Sequence, residues 1–218
     1  GVTDLTIIDP VDSGLLTDFK RYALDNGIHL LTVSNACFLN SSITEDAFFR
    51  SDKRIFRHAD FYKKQRIKHN ILIDGDLPRG GKWSFDSDNR KSYPKSKKVP
   101  LIRHPSGILF QRAANEINEE FPENIGSLPS AQLYPSNHIE AKEWFEDFLN
   151  ERFKEFGSYE DAILKDELFI NHSVISPVLN CGLLTPAYVI RKTLEFSEDN
   201  EIPINSLEGF IRQIIGWR

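Results

Sequence analysis

The sequence predicts a mixed architecture, α/β followed by all-α, and three observations predict it. Residues 1–50 open on a strand, helix, strand pattern. Residues 51–135 form a long basic connection broken by Gly and Pro, and residues 136–218 carry helical periodicity to the end. With 218 residues, 40% of them hydrophobic, the chain can bury one large core or two modest ones.

The first strand is LTIID, stopped at Asp9-Pro10. LLTDFKRYALDNG then predicts a helix with Leu15, Leu16, Phe19 and Ala23 on its apolar side and Gly27 as its stop. IHLLTVS predicts a second strand, and two strands joined by a short helical crossover form a parallel βαβ unit. From Thr44 the pattern turns helical, with Thr44 as the cap and Glu45 and Asp46 in the first turn, and runs on through FFRSDKRIFRHADFYKKQRIKHN. The segment DGDLPRGGKWSFDSDNRKSYPKSKKVP follows, then a short helix around FQRAANEINEEFP. A connection of this length is characteristic of a functional loop or a linker.

After Pro135 the helices begin in earnest. EAKEWFEDFLNERFKEFG puts Trp144, Phe145, Phe148, Leu149 and Phe153 on one stripe, with Gly157 as its stop. HSVISPVLNCGLLTP holds two helix starts, Ser176-Pro177 and Thr185-Pro186, separated by Gly182. Exposed N–H groups there, beside the hydroxyls of Ser173 and Ser176 and the ring of His172, predict either a structural cap or a phosphate seat. SLEGFIRQIIGWR predicts a last helix with Ser206 as N-cap, Glu208 in the first turn, and Phe210, Ile214 and Trp217 on one face. Gly209 and Gly216 inside it imply that a flat ligand or another helix lies close to the backbone.

Charge is unevenly distributed. From 50 to 103 there are 16 Lys and Arg against 6 Asp and Glu, a local +10, whereas the rest of the chain holds 11 against 26, or −15. With Phe56, Phe61, Tyr62, Trp83, Phe85 and Tyr93 interleaved, the middle segment has the composition of a nucleic-acid groove. No apolar run approaches the roughly 18 residues a membrane span needs, and no signal segment opens the chain, so no membrane association and a cytoplasmic setting are expected. Cys37 and Cys181 have neither disulfide nor zinc spacing and are expected to be buried thiols. The lack of Met, even at position 1, and the ending IRQIIGWR in mid-pattern predict a piece of a longer protein.

FYKKQR, GGKWSFDSDNRK, HSVISPVLNCGLLTP and NSLEGFIRQIIGWR, in that order, resemble the photolyase/cryptochrome superfamily. More narrowly they resemble its bacterial iron–sulfur branch, the photolyase-related proteins that include prokaryotic (6-4) photolyases. The resemblance implies three parts: the tail of a parallel α/β antenna domain at 1–50, an interdomain connection at 51–135, and the start of a helical FAD-binding domain at 136–218. It implies FAD held around its phosphates by His172, Ser173, Val174, Ile175 and Ser176, with Arg218 also at the flavin and the helix starts near Ser176 and Ser206 converging on it. Gln213, Trp217, Lys82, Arg90 and Lys91 would face damaged DNA, Trp217 at the mouth of the pocket. Many photolyases carry a Glu where this sequence has Ile214, and its absence argues against cyclobutane dimers as the lesion. A 4Fe-4S cluster is expected from residues beyond 218, with no metal ligand among these; a lumazine-type antenna pigment and a monomeric state complete the implied picture. The function implied is light-driven DNA repair, with a blue-light photoreceptor of the same branch, or a cofactor-free nucleic-acid-binding module, as the alternatives. No catalytic acid or base can be named from these residues.

Overall fold

The structure, a computed structural model, describes residues 1–40, 48–50, 52–105 and 107–218. Strands β1 (Asp4–Ile8) and β2 (His29–Val33) pair in parallel, from Asp4 opposite His29 to Ile8 opposite Val33, with α1 (Ser13–Asp25) as the crossover. Asp12 caps α1 by accepting from the Leu15 N–H at 3.0 Å, and Gly27 turns the chain out at φ 64°. The expected helix start at Thr44, Glu45 and Asp46 lies outside the described residues. Residues 52–57 are not helical, and α2 runs over His58–His69, closed by Asn70 in the left-handed region. A two-residue hairpin, β3 (Ile73–Asp74) and β4 (Leu77–Pro78), turns at Gly75.

Helix α3 (Ile108–Glu120) buries none of its side chains. The helices that make the core are α4 (His138–Glu151), α5 (Phe153–Tyr159), α6 (Ser176–Asn180), α7 (Pro186–Asp199) and α8 (Ile204–Ile215). The stripe read from the sequence is the core: Trp144, Phe145, Phe148, Leu149 and Phe153 are all buried. Phe210 of α8 sits among four rings, its centroid 5.0–6.1 Å from those of Phe145, Phe148, Phe153 and Phe156. Each such pair adds about 0.5–1.5 kcal/mol beyond the area it buries. Helix α8 is buried almost all round, and the region between 51 and 135 contributes Tyr62, Ile71 and Leu72 to the same core.

Several local expectations are corrected. Residues 160–175 are not helical; Ala162 and Ile170 instead bury against Tyr93 and Tyr159, while Asn171 donates to the Arg152 carbonyl. Gly157 does not stop a helix. It lies inside α5, where a Cβ would come within 2.6 Å of the Asn205 and Ser206 backbone, so its missing side chain lets α5 and α8 touch. Ser206 is not an N-cap, because α8 begins at Ile204; its buried hydroxyl accepts from Gly157 N–H at 2.9 Å and donates to the Lys154 carbonyl at 3.0 Å. Cys181 is exposed, since it caps the short α6 on a surface turn, and Cys37 is half-buried. Among the described residues no helix is long and apolar enough to cross a membrane.

Ala at a helical Gly ordinarily gains up to about 1 kcal/mol. At position 157 the sign reverses: Gly157→Ala is expected to lower unfolding free energy by about 1–3 kcal/mol, the range for overpacking, as measured by urea denaturation.

Candidate functional site

The segment 80–91 is held from two sides by opposite charges. On one side Arg66 of α2, fully buried, donates to the carbonyls of Ile71 (3.3 Å), Leu72 and Trp83 (2.9 Å), with its guanidinium 5.2 Å from the Trp83 ring centroid. On the other, Glu208 of α8 accepts from the Phe85 N–H at 2.8 Å. Gly80 is needed twice over, for its φ of 75° and because a Cβ would meet Phe85 Cζ at 2.8 Å. Phe85 is buried and Trp83 half-buried, as expected of aromatic residues that dock while their charged neighbours stay wet.

Around Glu208 stands an ion cluster that the sequence reading missed. Arg212 pairs with Glu208 (3.2 Å), Glu160 (3.1 Å) and Asp86 (3.1 Å), and Asp86 also accepts from Arg90 at 2.6 Å. Burial works against the Arg212 charge, but the three carboxylates outweigh it and hold its pKa above the ordinary value. Burial pushes Glu160 upward against the pull of Arg212, whereas Asp86 is held low, first by its hydrogen bond from Arg90. Gly209 leaves room for this, since a Cβ there would lie 2.6 Å from Asn89 and 3.1 Å from Glu160. The i,i+4 spacing of Glu208 and Arg212 was the available signal.

The residues expected at FAD fall into two groups. His172 to Ser176 leads into α6, and Val174 adopts φ 55°, a strained conformation for a β-branched residue, with its carbonyl accepting from Trp144 Nε1 at 3.1 Å. Ile175 follows in the right-handed region, so successive N–H groups take the left-then-right turn of an anion-binding nest. Among the described residues the hydroxyls of Ser173 and Ser176 have no hydrogen-bond partner. Arg152, 1% exposed, donates through Nε to the His172 carbonyl at 3.3 Å, while among the described residues both its Nη atoms are buried without a partner. His172 Nδ1 accepts from the Ile170 N–H at 3.2 Å, and burial pushes its pKa down. An anionic group such as a diphosphate fits this donor set. Arg152 was missed in the sequence, where a lone Arg between Phe148 and Phe153 was its trace.

Arg218 meets the C-terminal end of α6, the helix into which residues 172–176 lead. It donates to the Leu179 carbonyl (3.0 Å), Asn180 Oδ1 (2.7 Å) and the Cys37 carbonyl (3.1 Å), clasping the C-terminal end of α6 to the turn after β2. The α8 start is buried against α5, and α6 is tied to the opposite end of α8.

Of the expected DNA-facing residues, Lys82 and Arg90 are exposed but already neighbour Asp88 (3.8 Å) and Asp86. Lys91 is exposed, and its backbone N–H donates to the Ser158 carbonyl. Arg90 and Lys91 line a groove of about 480 Å³ with Phe85, Asp88, Ile204 and Asn205. Gln213 is half-buried on α8, and Trp217, just past its end, is 65% exposed. Its indole stacks on His58 at 3.9 Å and 18°. Burial first, then the Arg212 charge, lowers the His58 pKa, with the Gly216 backbone pulling the other way. Among the described residues no group of three or more His, Cys, Asp or Glu could hold a metal.

A parallel βαβ unit, a basic aromatic segment clamped between helices, and a helical core define a mixed α/β and helical protein. The model of the deoxyribodipyrimidine photo-lyase-related protein family matches residues 1–133, and the chain belongs to that family. It is 29% identical over 225 residues to a (6-4) photolyase of Agrobacterium fabrum, covering all of this chain and 44% of that protein. Two uncharacterized proteins of Acanthamoeba polyphaga mimivirus match as well. One is 48% identical over 61 residues, 28% of this chain and 46% of its own length; the other is 32% identical over 98 residues, 43% and 50% respectively. The chain thus spans about half the length of the curated relatives it matches.

Removing Glu208 strips Arg212 of one counter-charge and Phe85 N–H of its acceptor. Glu208→Ala is expected to cost about 3–5 kcal/mol and to open residues 79–91 to trypsin, read by denaturation and limited proteolysis. A second expectation concerns pH. His172 is held below its ordinary value of 6.5 in the folded chain, so the unfolded chain takes up the proton first. Its contribution is complete above about 6.5 and is lost as pH falls below it; His172→Gln should therefore shrink the drop in urea midpoint between about pH 7.5 and 5.5.

Proposed function

We propose that the chain belongs to a light-driven DNA-repair flavoprotein acting on (6-4) pyrimidine photoproducts, in which it seats the diphosphate of FAD and positions the damaged duplex. The observation that carries the reading is the left-handed turn at Val174, flanked by the hydroxyls of Ser173 and Ser176, with the Arg152 guanidinium bonded to the His172 carbonyl two residues before it. Strain and unpaired buried charge persist where a ligand repays them. Family membership and the likeness to a (6-4) photolyase support the same reading.

When bound, reduced FAD supplies a light-excited electron to the lesion. The N–H groups of residues 174–176 and the Ser173 and Ser176 hydroxyls would donate to phosphate oxygens, and Arg152, held by the His172 carbonyl, would add positive charge beside that turn. The basic stretch from 50 to 103 gives salt-dependent affinity for duplex phosphates. A joined pyrimidine pair stacks and pairs poorly, so turning it out of the helix costs less than for an intact pair, and the exposed Trp217 gives it a ring to stack on. Ile214, buried in the core, leaves no carboxylate at the position where many photolyases carry one.

Two measurements on the full-length protein test this. Light-dependent conversion of a (6-4) photoproduct in an oligonucleotide is expected, and a protein that purifies without flavin and repairs nothing would overturn the proposal. Arg152→Leu is expected to leave the fold as stable or more so, since it removes a buried unpaired charge. It should weaken FAD binding about tenfold or more, seen as flavin absorbance lost on dialysis, as befits a charge-assisted contact worth about 1.5–3 kcal/mol.

A further inference from the structure

Helix α2 presents its first residue to the tip of α8. His58 lies 3.9 Å, centroid to centroid, from the indole of Trp217 at an interplanar angle of 18°, and its ring is within 4° of parallel to that of Tyr62, one turn further along α2 at 6.4 Å. Tyr62 is 2% exposed and belongs to the core, whereas Trp217 is 65% exposed. Three near-parallel rings thus run from the interior to an open indole. Among the described residues His58 is the ring that Trp217 contacts, so one indole face is backed while the side chain as a whole stays largely exposed.

The backbone around this stack is shaped to admit it. A Cβ on Gly216 would lie 2.9 Å from His58 Nε2 and 3.2 Å from Tyr62 Cδ2, so a side chain at 216 would displace both rings. Among the described residues His58 Nε2 is buried without a hydrogen-bond partner. An unsatisfied ring nitrogen costs stability, whereas Phe at 58 would stack without that cost. An exposed Trp left to itself samples several rotamers, and fixing one before a base arrives removes an ordering cost from binding.

We infer that His58 is a positioning residue: it holds the Trp217 indole flat and pre-ordered as the stacking platform for a base turned out of the duplex. The inference deepens the proposed function and rests on Trp217 facing that base. His58 itself touches no substrate in this arrangement; it acts through the indole.

The test uses the full-length protein, a duplex carrying one (6-4) photoproduct and the same duplex undamaged. His58→Ala is expected to weaken binding of the damaged duplex about tenfold while affinity for the undamaged duplex and flavin content stay unchanged. His58→Phe, which restores a flat ring, should recover affinity to within about threefold of the parent. In a Trp217→Ala background, His58→Ala should have no further effect, because the platform it orders is gone. If Trp217→Ala weakens damage binding and His58→Ala does not, the positioning role is wrong and the functional reading stands. If Trp217→Ala binds the damaged duplex like the parent, the reading of Trp217 fails, and this inference with it. Equal losses on both duplexes, or a His58→Ala effect that persists without Trp217, would show a role in folding alone and overturn the inference.

Discussion

Arg212 reaches three carboxylates from three parts of the chain: Glu208 on its own helix, Glu160 after α5, and Asp86 in the clamped segment. With Arg90 also on Asp86, two guanidiniums face three carboxylates, and one negative charge is left over. Burial raises the Glu160 pKa while the Arg212 charge and hydrogen bond pull it back down. A cluster of this kind adds little net stability, because desolvation offsets most of the attraction. Its effect is to make other placements costly. Segment 80–91, α5 and α8 must meet in one geometry or leave charges buried and unpaired, and the glycines at 157 and 209 are what permit that geometry.

The parts of the fold that follow from period and punctuation were legible in the sequence. The parallel βαβ unit, the apolar stripe of α4 and the Thr185 cap of α7, which accepts from the Tyr188 N–H, are all as the residues dictate. Legibility ends where one side chain answers to a distant one. Gly157 reads as a stop because Gly usually is one, yet its role depends on a backbone some 50 residues away. Ser206 and Glu208 look like cap and first-turn residues, but tertiary partners claim both. The segment 160–175 offers helix-forming residues, and the partners of Glu160 and Asn171 hold it in another path.

The candidate site was singled out by resemblance more than by pattern. His172 to Ser176 could be singled out, but the left-handed turn at Val174 is invisible in a sequence that has Val and not Gly there. Arg152 sits in an aromatic run as though it were an interruption of it. Local preference and tertiary demand conflict at both residues, and such conflicts gather where a protein handles a ligand.

The clasp made by Arg218 has a consequence for how the chain comes together. Its bond to the Cys37 carbonyl spans 181 residues. At about 5–20 residues per second of synthesis, the turn after β2 emerges some 10–35 s before the side chain that fastens it. During that interval the early βαβ unit must wait with its turn unsecured, so a chaperone or a slow translation step has the most to act upon there.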